Sequence, residues 1–150
     1  MKITNIVAKF LCVGLIFILP AMAFTFPNEP DGFRGLKWGD PIMEGMKYIG
    51  EEKGMLGYIR LDDKMQIGDA YFSYIVYLFD TYTKRFFGVN MGFEGEENYD
   101  RLKIILEGRF GEGEKAGLYR ILWIGQKATI NLDYDLAEEK GHLGIYSTVL

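Results

Sequence analysis

Tyr74-Ile75-Val76-Tyr77-Leu78-Phe79, Asp80-Thr81-Tyr82-Thr83-Lys84 and Phe87-Gly88-Val89-Asn90-Met91-Gly92-Phe93 together read as a β-hairpin at the centre of a sheet. The first run is apolar on both faces, as expected of a strand with neighbours on either side. The polar middle turns the chain back. In the third run Phe87, Val89, Met91 and Phe93 alternate with Gly88, Asn90 and Gly92, so one face carries large side chains and the other is nearly bare backbone. Ten Tyr and eleven Phe in 150 residues favour β structure along the rest of the chain.

Upstream of the hairpin, Tyr58–Leu61 reads as a weak strand and Lys64–Phe72 as another, interrupted by Gly68. Phe33, Leu36 and Trp38 alternate imperfectly within Phe33–Gly39, a short edge strand. Asp40-Pro41 then has the form of a helix start, with Asp receiving the free amides and Pro at the first position. Ile42, Met43, Met46 and Ile49 follow at helical spacing and Gly50 closes the run. Downstream, Asn98 is an N-cap for a second helix, Tyr99–Phe110, with Leu102, Ile105, Leu106 and Phe110 inward and Gly111 as the stop. Strands follow at Leu118–Ile124, Ala128–Tyr134 and near Leu143–Val149. The expected class is α+β: an antiparallel sheet with two helices packed on one face, in an order that reads as a degenerate duplication of helix plus meander.

Residues 1–23 read as a cleavable signal. Lys2 and Lys9 form a basic leader, Phe10–Leu19 is apolar, Pro20 breaks the run, and Ala21-Met22-Ala23 offers small residues for cleavage. The apolar run is about half of the roughly 20 residues that span a bilayer. The expected address is periplasmic or secreted, with residues 24–150 as one domain. Cys12, the only cysteine, lies in that leader, so the remainder has no disulfide framework, thiol nucleophile or thiolate metal site. Only two apolar residues separate it from Lys9 and most of the apolar run follows it, the wrong order for a lipidation site. Without Lys2 and Lys9 the chain carries fifteen basic against twenty-one acidic side chains. That balance argues against nucleic acid or an anionic membrane as partner.

Gly32-Phe33-Arg34-Gly35-Leu36-Lys37-Trp38-Gly39 with its Pro-opened continuation resembles the start of small secreted bacterial proteins of unassigned function. Leu106 to Phe110-Gly111, Trp123 and Ile130-x-Leu132-x-Tyr134 are similar to their later pattern. The helix-then-meander order also resembles β-lactamase-inhibitor-protein and outer-membrane-assembly-lipoprotein domains, which bind other proteins. The resemblances imply a fold, a compartment and protein binding, and no functional residue is carried over from them.

Catalytic equipment is sparse. His142 is the only histidine, which excludes a multi-His zinc site, and it has no identified partner in the sequence. Ser73 and Ser147, the serines after the leader, lie in no nucleophile elbow. Glu94, Glu96 and Glu97 suit a helix start. Asp133, Asp135, Glu138 and Glu139 do not match the spacing of a calcium loop and read as a solvated hairpin tip. Gly108, Gly111 and Gly113 close a helix rather than open one, so they form no phosphate cradle. No catalytic residue, metal ligand or cofactor is assigned.

The aromatic residues around the central hairpin are the remaining candidates. Tyr71, Tyr74, Tyr77, Tyr82 and Phe86 are the expected binding residues, since two helices cover one sheet face and Tyr suits an interface on the other. The expected function is therefore a binding module acting by protein–protein contact. The alternative is a carrier for a small hydrophobic ligand, lined by Met43, Met46, Met65 and Met91. A carboxylate-based hydrolase is third. An open edge strand could also pair two copies into a homodimer.

Overall fold

The central hairpin is present: β7 (Tyr74–Asp80) pairs with β8 (Phe86–Glu94). A computed structural model describes residues 25–150; the leader and its cleavage site lie outside the described residues. Ahead of the hairpin come β1 (Gly32–Phe33), β2 (Leu36–Lys37), β3 (Met46–Glu52), β4 (Met55–Arg60), β5 (Gln66–Ile67) and β6 (Ala70–Tyr71). After it come α1 (Glu96–Phe110), β9 (Glu114–Gly117), β10 (Arg120–Ile124), β11 (Ala128–Asp135) and β12 (Lys140–Ser147). Eight strands form one antiparallel sheet in the order β3-β4-β7-β8-β12-β11-β10-β9. Two four-strand meanders thus meet along β8 and β12.

The expectation of two helices on a sheet fails. The protein is mostly β, and α1 is the one helix among the described residues. Residues 42–49 have helical spacing, but Gly45 interrupts them at φ 84°, outside the helical region. Beyond it, Met46–Glu52 extends as β3 and pairs with β4, where Tyr48 packs on Tyr58 with ring centres 5.5 Å apart. A helix-plus-meander unit is therefore formed once, not twice.

Two small hairpins occupy the side the first helix was expected to cover. β1 and β2 join through Arg34 and Gly35, both at positive φ, as the tightest hairpin turns require. Leu36 is buried, and Trp38 stacks on Phe86 at 5.2 Å while its Nε1 donates to the Pro30 carbonyl. β5 and β6 turn at Gly68, where an added Cβ would lie 2.8 Å from Ile105 of α1. The Gly-Phe-Arg-Gly-Leu-Lys-Trp-Gly segment thus forms a lid on one half of the core face, and α1 lies against β8, β11 and β6 over the other.

Acidic residues in the first turn of α1 and Arg109 in its last complement the helix dipole. The expected N-cap, Asn98, lies inside the helix. Its Oδ1 accepts from the Tyr71 amide and its Nδ2 donates to the Glu94 carbonyl, tying β6 to β8. Gly95 holds the cap position.

A bulge corrects the alternation read from β8. Phe79 pairs with Phe86 but Leu78 pairs with Gly88, so Phe87 is the extra residue. Phe86 therefore points into the core with Val89, Met91 and Phe93, while Phe87 is half-buried. Ile75, Tyr77 and Phe79 from β7, Trp123 from β10, and Ile130 and Leu132 from β11 complete that face of the sheet. No described helix is long and apolar enough to cross a membrane.

Candidate functional site

One face of the sheet is filled by this core; the opposite face carries no covering element among the described residues. Its composition follows from the register. One cross-strand row reads Tyr74, Gly92, His142, Asp133, Arg120. The next reads Val76, Asn90, Gly144, Asn131, Leu122. A third reads Gly57, Leu78, Gly88, Tyr146, Thr129, Ile124.

The glycines in these rows are seats for aromatic rings. A Cβ on Gly92 would lie 2.2 Å from Cε1 of Tyr74. One on Gly144 would lie 2.4 Å from the Tyr146 Cε2, and one on Gly88 2.6 Å from its Cδ1. Both tyrosines therefore lie down on bare backbone across neighbouring strands, an arrangement that compensates glycine in a sheet.

Beside Tyr146 the sheet dips into an open hollow of about 390 Å³. Its floor and walls include Val76, Leu78, Ile49 and Met55, with Glu51 and Glu52 on the rim toward β3.

On the other side of Tyr146 lies a polar cluster. Asn131 Nδ2 donates to Asp133 Oδ2 at 2.8 Å, and Arg120 Nε donates to Asn131 Oδ1 at 3.3 Å. The Nδ1 of His142 stands 3.6 Å from Asp133 Oδ1, and its ring is 6.3 Å from that of Tyr74. Burial raises the Tyr74 hydroxyl above the ordinary tyrosine value, and the Asp133 charge adds to that. Tyr146 is raised by burial first, then by Asp133 and Tyr74. Both hydroxyls therefore stay protonated in the field of one carboxylate.

Of the five expected binding residues, only Tyr74 is on this face. Tyr77 and Phe86 are completely buried; the Tyr77 hydroxyl donates to Asp63 Oδ2 at 2.7 Å. Tyr82 is 89 % exposed at the tip of the β7–β8 turn, and Tyr71 is exposed beside the start of α1. The five do not form one surface. Tyr146, Asn90, Asp133 and His142, which do share a face with Tyr74, are not among the five expected binding residues; Asp133 and His142 entered the sequence reading only as a calcium-loop carboxylate and a lone histidine. The pointer to them was the glycine alternation of β8, which marks a face where neighbouring strands lay down their rings.

Other candidates have structural partners. Glu96 accepts from the Tyr119 hydroxyl and Glu97 from Arg101. Asp135 accepts from the amides of Ala137 and Glu138 in its own turn. No cluster of three His, Cys, Asp or Glu is arranged for a metal among the described residues. Met91 is buried, Met46 half-buried, and Met43 and Met65 exposed, so the four methionines do not line one space.

No family model, curated protein or solved structure matches the chain.

Proposed function

We propose that this protein is a periplasmic or secreted binding module that engages another protein through the open face of its sheet. The observation that carries this reading is the aromatic and apolar surface formed by Tyr74, Tyr146, Val76, Leu78 and Ile49, seated on glycine backbone and interrupted by Asn90 and Asn131. Uncovered apolar surface rimmed by polar groups is typical of interaction sites. Tyr on a rigid sheet loses little conformational freedom when it binds. The leader sequence supports the address.

Two other readings are weaker. The space between the sheet and the helix and hairpins that cover it is packed with Trp123, Tyr77, Phe79 and Phe86, which favours surface binding over a carrier. Pairing of two copies edge to edge is disfavoured because β3 carries Lys47, Glu51, Glu52 and a bulge, and β9 is four residues with Glu114 and Lys115.

The test compares a substitution at half-buried Leu78 with one at exposed Ile104 in the envelope of a producing cell. Leu78→Glu puts charge on the open face, and Ile104→Glu puts it on the outer side of α1, where Ile104 is 71 % exposed. Cross-linked complex should be lost with Leu78→Glu and kept with Ile104→Glu, both variants melting cooperatively. The opposite pattern overturns the reading.

A further inference from the structure

The polar corner of the open face has a charge arrangement that its own chain leaves incomplete. Asp133 sits on a sheet face, half-buried between β10 and β12. Its Oδ2 accepts from Asn131, whereas Oδ1 receives no hydrogen bond among the described residues. Arg120 is directly opposite in the ladder yet gives its Nε to Asn131, not to the carboxylate. His142 faces Oδ1 at 3.6 Å, beyond hydrogen-bond range. Tyr74, in the same cross-strand row but separated from Asp133 by Gly92 and His142, and Tyr146 add two flat aromatic rings. An electron-rich ring face beside an unfilled carboxylate oxygen attracts an organic cation by Coulomb and cation–π terms together.

We propose that Asp133, Tyr74 and Tyr146 form a receptor for one cationic side chain, an ammonium or guanidinium, presented by the partner protein. The inference rests on the binding reading above and names the chemistry of the contact. Charge complementarity supports it, because the hollow next to the corner has Glu51 and Glu52 on its far rim. A partner segment with an apolar centre and basic flanks matches both ends. Burial is the main cause that raises the Tyr74 and Tyr146 hydroxyls, and the Asp133 carboxylate adds to both, so its charge reaches the two rings.

The test uses small probes on the whole mature protein: n-butylammonium, N-butylguanidinium and neutral n-butanol, followed through the Tyr74 and Tyr146 ring resonances. Both cations should produce saturable shifts with a millimolar dissociation constant, and butanol none. The stronger of the two cations tells whether a lysine or an arginine is preferred. Asp133→Asn keeps the shape and should weaken cation binding roughly threefold to tenfold. Equal shifts from butanol, or saturable cation binding unchanged in Asp133→Asn, overturn the proposal, as does the absence of saturable shifts. If the cations fail while Leu78→Glu still abolishes the cross-linked complex, the cation site is wrong and the open-face binding reading stands.

Discussion

Glu29 shows how a single residue holds the N-terminal segment. Its carboxylate accepts three backbone amides of the β10–β11 turn, from Gln126, Lys127 and Ala128 at 3.1, 2.6 and 3.3 Å. Gly125 allows that approach, since a Cβ there would lie 2.4 Å from the Glu29 Cδ. Burial pushes the carboxyl up, but the three amides and the Lys127 charge outweigh it, so it titrates below the ordinary glutamate value. A depressed native value means the stabilisation is complete above the unfolded carboxylate range and is lost as pH falls through the folded value. Glu29→Gln should cost about 1 kcal/mol near neutrality, allowing for solvent screening, and the difference from wild type should vanish in acid. Urea melts at two pH values check this. A difference that persists below the carboxylate range would contradict it.

Gly92 is a second residue with a defined role. Its φ is unremarkable, so the reason for glycine is the Tyr74 ring above it. Gly92→Ala should displace that ring at a cost of about 1 kcal/mol and change the Tyr74 ring resonances while leaving the core shifts in place. Unchanged Tyr74 resonances would mean the ring is not seated there.

At the scale of elements, the β1–β2 hairpin does the covering work expected of a helix. Leu36, on β2 of that hairpin, is 2 % exposed. Leu36→Ala should therefore cost about 3 kcal/mol, the range for a buried Leu truncation. Thermal unfolding measures it, and a loss below about 1 kcal/mol would show that the hairpin is a surface ornament. The hairpin β7–β8, the helix ending at Gly111 and the strands β10 to β12 were legible because their periodicity is local. Residues 42–49 were not, because helical spacing outvoted Gly45, whose positive φ redirects the chain. The bulge at Phe87 was also invisible: it is a property of the β7–β8 register, and it moved Phe86 from candidate surface to core.

For the whole molecule, the topology assembles the open face from distant segments. β8 pairs with β12 rather than with the strand that follows it, which brings Tyr74 and Gly92 beside His142 and Asp133. No local pattern announces that pairing, so Tyr74 was recognisable from the sequence and its neighbours were not. The same pairing leaves two faces with different chemistry, one packed under α1 and the two lids, the other lined by glycine-seated rings and amides.

The most direct measurement is site-specific photo-cross-linking in the native compartment, with the reactive group placed at Val76 on the open face or at Ile104 on the outside of α1. The account predicts one stoichiometric protein adduct from position 76, reduced by a cationic competitor peptide, and none from position 104. An adduct of equal yield from both positions, or only from position 104, would contradict it.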